Sequence, residues 1–166
     1  LSGVQPGTPM GRVDVRGAAQ NVAGNPWVDS VTVKRNWPNA VDVTVVEHTP
    51  VAWIDQGGEP HLINSEGKDF VVAQPPLGAV QLVGISEAQL PKAVEVASAI
   101  TDPARPQVRE LTSDGDHSFV LKLDGDRTVT WGASEDNHNK ALALETVLQL
   151  DGKTFNISNP ELVTSR

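Results

Sequence analysis

The amino-acid sequence predicts an α+β fold in two modules, residues 1–52 and residues 53–166. Three observations carry that reading. Valine dominates the aliphatics, with 23 Val against 5 Ile and 13 Leu, and a side chain stiff at χ1 suits a pleated surface. Short runs alternate apolar and polar residues between turns rich in Gly, Pro, Asn and Asp. Three further stretches repeat apolar residues at helical spacing.

Residues 1–13 are punctuated by Gly3, Pro6, Gly7, Pro9 and Gly11, which predicts a loop with at most a short helical turn. Asp14 can cap a helix whose Val15, Ala18, Ala19 and Val22 share one face, and Gly24 with Pro26 ends it. Val31 and Val33, then Val41, Val43 and Val45, alternate with polar residues around a Trp37-Pro38-Asn39 turn. The first module is therefore a helix plus a β-hairpin.

Thr49-Pro50 marks the junction, with residues 51–54 able to continue the strand before Gly57-Gly58 breaks the chain. Leu62-Ile63 and Phe70-Val71-Val72 flank Ser65-Glu66-Gly67 as a second hairpin. After Pro75, Pro76 and Gly78, Ser86 and Gln89 have capping-box spacing ahead of a stripe of Leu90, Ala93, Val94, Ala97 and Ile100. Pro91 fits the first turn of that helix, and Pro103 and Pro106 stop it. Strands follow over residues 108–111, 118–123 and 128–131, the last two joined by Asp124-Gly125, a strong hairpin signal. Ala141, Leu144, Val147 and Leu148 form one face of another helix, with Glu135 and Asp136 at its start. Asp151-Gly152 turns into a final strand over residues 154–158, which Pro160 terminates. The second module is mixed α/β, an antiparallel sheet with two helices.

Composition narrows the function. With 39% hydrophobic residues and 14 Gly in 166, the apolar share including glycine is roughly 47%, which is globular. A net charge of −8 offers no footprint for phosphate backbones and is repelled by anionic bilayers, so nucleic acid and peripheral membrane binding are not expected. The absence of cysteine removes disulfides, thiol catalysis and Cys-containing zinc sites. No apolar run approaches the ~20 residues of a membrane span. The first residue is Leu, so the chain reads as a processed or trimmed fragment.

No motif nominates an active site, cofactor or metal. His48, His61, His117 and His138 are scattered and read as surface or loop residues. Asp114-Gly-Asp116 and Asp124-Gly-Asp126 lack the twelve-residue calcium pattern and sit where hairpins need turn residues. A nucleophile elbow, a phosphate-binding loop and a His-Glu-x-x-His pair are all absent. Carboxylates are many, but they fall in turns and helix starts and single out no acid/base pair. Two features have two readings each. Lys140, the only basic side chain between Arg127 and Lys153, is either a solvated helix charge or an anchor for an acidic partner. The last strand either lies on an open sheet edge, which recruits strands from other chains, or is covered by a loop or the chain's own tail.

A family resemblance then joins these pieces. Pro26-Trp27-Val28, Val31-x-Val33-x-Arg35-x-x-Pro38 and Val41-x-Val43-x-Val45-x-Glu47-x-x-Pro50-x-Ala52 resemble the POTRA module of the FtsQ/DivIB cell-division family. Leu62-Ile63-Asn64-x-x-Gly67-x-x-Phe70, Leu121-x-Leu123-x-Gly125 with Val129-x-x-Gly132, Lys140 with Leu144 and Leu148, and Ile157-Ser158-Asn159-Pro160-Glu161-Leu162-Val163-Thr164-x-Arg166 resemble its β-domain. The closing segment is most similar to actinobacterial members. The resemblance implies a POTRA-type module lacking its first strand, then a β-domain. It implies a non-enzymatic divisome scaffold on the extracytoplasmic side of the plasma membrane, held by one transmembrane helix outside these residues. The implied partners are FtsB- and FtsL-like proteins and other divisome components, and the outcome is recruitment and regulation of septal peptidoglycan synthesis. It places the partner site at Lys140, Phe155, Ile157, Ser158, Leu162 and Val163. Two positions depart from the family: His48 stands where a permanent cation is common, and Ala133 where some members carry a basic residue. Two rival readings stay open, a POTRA module of a protein-translocation system and an extracytoplasmic enzyme. Four structural expectations follow: Trp27 buried, Trp37 exposed, His48 at the surface, where an exposed imidazole changes charge at about pH 6.5, and residues 154–158 on an open edge beside Lys140.

Overall fold

A computed structural model describes residues 2–165 and divides the chain into two compact units, residues 1–49 and 50–166. In the first unit, Asp14 caps helix α1 (Val15–Ala23) by accepting the Gly17 N–H at 2.9 Å, which satisfies one otherwise orphaned donor. Strands β1 (Val28–Asn36) and β2 (Ala40–Glu47) pair antiparallel, with Val31 opposite Val45 and Val33 opposite Val43. That register puts the valines on one face, and α1 packs against β1. The Trp37–Pro38 peptide bond at the tip is cis.

Two of the four expectations concern this unit's aromatics. Trp37 is 67% exposed, as expected at a turn tip. Trp27 is only half-buried. His48 reverses the expectation of exposure. It is 5% exposed, its N–H donates to the Trp27 carbonyl at 2.8 Å, and its Nδ1 lies 3.4 Å from an Asp29 carboxylate oxygen. A hairpin end tied back to the helix-to-strand junction turns that ring inward.

The second unit is one sheet with two crossover helices. Its strands are β3 (Pro50–Gln56), β4 (Glu59–Asn64), β5 (Asp69–Val72), β6 (Val80–Val83), β7 (Val108–Ser113), β8 (Phe119–Leu123), β9 (Arg127–Gly132), β10 (Thr154–Asn156) and β11 (Thr164–Ser165). Helix α2 (Leu90–Ala99) links β6 to β7, and α3 (Asn137–Leu148) links β9 to β10. The spatial order is β11-β10-β9-β8-β7-β6-β3-β4-β5. The two expected hairpins are present as β4–β5 and β8–β9, and β3–β4 and β7–β8 also pair antiparallel. Parallel pairs β3–β6, β6–β7 and β9–β10 join them into a mixed sheet.

Strand β6 has no counterpart in the sequence reading. Its Val80 and Leu82 are buried while Gln81 is not, yet four residues behind a Pro/Gly-rich stretch carry too little alternation to stand out. The Ser86/Gln89 pair is real but shifted. The Gln89 side chain accepts the Ser86 N–H, and its amide donates to Ser113 Oγ and the Gly115 carbonyl. Gln89 thus ties the start of α2 to the β7–β8 turn. One core, including Val51 and Ala52, closes between the helices and the inward strand residues.

Candidate partner-binding edge

The expected partner residues lie where β9, α3 and β10 meet. Thr154 pairs with Thr128, Phe155 with Val129 and Asn156 with Thr130, in parallel register. The Ile157 N–H extends that ladder by donating to the Thr130 carbonyl at 3.0 Å. Period-two alternation sends Phe155 and Ile157 into the core, where they are 1% and 0% exposed, and leaves Ser158 at the surface.

Residues 154–158 do not form an open edge. β11 pairs antiparallel with β10, Phe155 opposite Ser165 and Asn156 opposite Thr164. The chain reverses through an Asn159 turn, in which the side chain accepts the Glu161 N–H and the carbonyl accepts the Leu162 N–H, both at 3.1 Å. An Asn-Pro dipeptide favours such a turn locally, and the reversal carries the tail back along β10. Leu162 and Val163 stand exposed on it.

Lys140 is not the solvated helix charge of the first of its two readings. It is 3% exposed, and its ammonium donates to the Ala133 carbonyl at 2.8 Å. Burial lowers its pKa, opposed by the nearby carboxylates Asp136 and Glu135. Its stem lies along the core face of α3 while its head clamps the β9–α3 loop, so its charge is turned away from the surface.

Several residues that build this corner escaped the sequence reading. Gly132, at φ +78°, sits so close to Ser158 that a Cβ there would lie 2.7 Å from the serine Cβ. The Arg127 guanidinium donates to the carbonyls of Val147 at 2.8 Å and Leu150 at 3.0 Å, closing the C-terminus of α3, and stacks 5.2 Å over the Phe155 ring. Trp131 Nε1 donates to Asn137, whose amide donates to Ser134 Oγ, whose hydroxyl donates to Glu95. That chain fixes the β9–α3 loop to α2. Lys92 and Ser134 both bond the Glu95 carboxylate and hold its pKa below the ordinary value. Gly132 stood in the reading only as a motif glycine. Arg127 and Val147, Trp131 and Asn137, and Ser134 and Glu95 are each six or more residues apart, and the local pairs Ser134/Asn137 and Lys92/Glu95 carry no motif of their own.

Comparison with known proteins follows the same division of the chain. Residues 1–48 match the family model of the POTRA domain, FtsQ-type, and residues 51–163 match that of the cell division protein FtsQ/DivIB, C-terminal. A Corynebacterium glutamicum protein named cell division protein FtsQ is 36% identical, with 100% of this chain and 78% of the relative covered. Proteins of the same name from Mycobacterium tuberculosis and Mycolicibacterium smegmatis are each 32% identical over 97% of this chain. The chain spans 52% and 50% of those two relatives, about half their length.

Proposed function

Because the chain belongs to the FtsQ/DivIB family of cell-division proteins, we propose that it is the extracytoplasmic region of a divisome scaffold. Its work is binding: it holds FtsB- and FtsL-like partners and thereby helps recruit and regulate septal peptidoglycan synthesis. The first unit serves localisation and contacts with other divisome components, and the second holds the FtsB/FtsL pair. No helix among the described residues is long and apolar enough to cross a membrane; in this reading the single transmembrane helix that anchors the protein lies outside these residues.

The observation that supports the binding role is the terminal edge of the large sheet. β10 spans three residues, and among the described residues its outer side is covered by two, both exposed. So short a cover is held by few ladder bonds, and an incoming strand of greater length offers more of them. The partner strand takes the place of β11 on β10. Ser158, Leu162 and Val163 contact it, whereas Phe155, Ile157 and Lys140 hold the edge in position from beneath.

The chain contains no cysteine, which permits a clean test. Asn156→Cys with Thr164→Cys, at register partners, pins β11 to β10 when oxidised. Capture of purified FtsB/FtsL-like partners should be lost in the oxidised protein and return with reductant. Equal capture in both states overturns the replacement of β11. Leu162→Asp with Val163→Asp should weaken capture without unfolding the protein, since both side chains are exposed; unchanged capture retires the tail contacts.

A further inference from the structure

We propose that the outer face of α3 is a docking groove for a cationic amphipathic helix of a partner protein, a surface that adjoins the strand edge and shares Val163 with it. The argument begins with Leu142. α3 buries Ala141, Ala143, Leu144, Val147 and Leu148, and Leu142, on the opposite side, is 48% exposed. A single exposed leucine is ordinary. This one is the shared wall of two grooves, of about 470 and 640 Å³, and Thr146, one turn further on, is shared in the same way. Val163 lines the first groove and Leu150 the second, both partly exposed. The result is an aliphatic strip with a ridge of i, i+4 spacing and a channel on each side, the relief into which the side-chain rows of another helix fit.

Charge selects the occupant. Asp136 and Glu161 line the first groove and Glu145 the second, and no lysine, arginine or histidine lines either. Glu145 and Glu161 enter no ion pair among the described residues. Lys140, the cation near Asp136, is buried and lines neither groove. The surrounding field points the same way. Residues 1–49 carry four basic and four acidic side chains and residues 50–166 carry nine and seventeen, so the entire net charge of −8 belongs to the second unit. An acidic helix is repelled here and an anionic lipid surface likewise. A helix with a leucine-like face bordered by lysine or arginine satisfies both the strip and the rim.

The test uses the whole chain and a fluorescently labelled Leu/Lys peptide of about 18 residues, five helical turns, with its leucines on one face. Controls are a Leu/Glu peptide of the same pattern and a Leu/Lys peptide scrambled to lack a face. The Leu/Lys peptide should bind in an anisotropy titration, more weakly as salt rises, and should shift backbone amide resonances along α3 and the tail. Leu142→Ser, and separately Glu145→Lys with Glu161→Lys, should each weaken binding about tenfold, the size expected of a central anchor or a reversed rim. Glu59→Lys with Glu66→Lys, exposed acids at β4 and the β4–β5 turn on the opposite side of the sheet order, should change it little. Equal binding by the scrambled or Leu/Glu peptide, equal loss in the Glu59/Glu66 variant, or resonance shifts away from α3 would each overturn the proposal. A concentration-dependent dimer in sedimentation that Leu142→Ser dissolves would overturn it in favour of a second copy of this chain. The oxidised Asn156→Cys/Thr164→Cys protein should still bind the peptide, so failure of the strand-edge reading and failure of this one are told apart.

Discussion

Replacing Lys140 by Glu removes the amine that donates to the Ala133 carbonyl and buries a carboxylate close to Glu135 and Asp136. An unpaired buried charge is among the costliest single changes, so urea denaturation should show a loss of about 3 kcal/mol or more. Lys140→Met keeps the buried stem and loses one hydrogen bond, about 1 kcal/mol. The pair separates a structural clamp from a surface charge, for which neither change would matter. Because burial lowers the Lys140 pKa, the folded state releases this proton at lower pH than the unfolded chain does. The unfolded chain then binds more protons in that window, so stability should rise as pH climbs from the lowered pKa toward the ordinary lysine value. Lys140→Met should lack that rise. The tryptophans give a second check at this scale: acrylamide quenching of single-Trp variants should be strongest at Trp37, intermediate at the half-buried Trp27 and weakest at the fully buried Trp131. Equal quenching would contradict the burial described.

At the scale of elements, the corner formed by β9, α3 and β10 depends on a close approach and a cap. Gly132→Ala meets both a left-handed φ and the Ser158 side chain, and should cost about 1–3 kcal/mol. Arg127→Ala removes the side-chain donor shared by the carbonyls at and just beyond the end of α3 and should raise amide exchange in the final turn of α3 before it affects the rest of the sheet. The Glu95 carboxylate bridges α2 to the β9–α3 loop, and its lowered pKa has a sign. Its contribution is present above the ordinary carboxylate pKa and is lost as pH falls through the lowered folded value. A stability difference between wild type and Glu95→Gln at pH 7 should therefore fade below about pH 4. Glu95 is about half exposed, so the difference is small and salt-sensitive. The β8–β9 hairpin was legible because its turn is chemically local: Gly125 and Asp126 take positive φ where the chain reverses. The helix stripes were legible for the same reason. β6 and β11 were not, because two to four residues become strands only when a neighbouring strand supplies the ladder.

For the whole molecule, the boundary between units makes a prediction. The sequence reading ends the first module at Ala52, whereas β3 begins at Pro50 and carries Val51 and Ala52 into the core of the second unit. A fragment starting at Trp53 should therefore be less stable than one starting at Pro50, by roughly 2–3 kcal/mol for the lost burial. Equal melting of the two fragments would place the boundary at the later position.

The sequence by itself determined the α+β class, the order of most elements, the turns that join them and the family, because each rests on residues near one another along the chain or on motifs in a fixed order. Only the tertiary structure decided what those elements do to one another. It placed β6 between β3 and β7, laid the tail on β10, and turned His48 and Lys140 inward. The physical reason is that burial and strand partnership are properties of surfaces that meet. A lysine on a polar-looking helix is solvated or buried according to the carbonyl and loop that pack over it, and neither is adjacent to it in sequence.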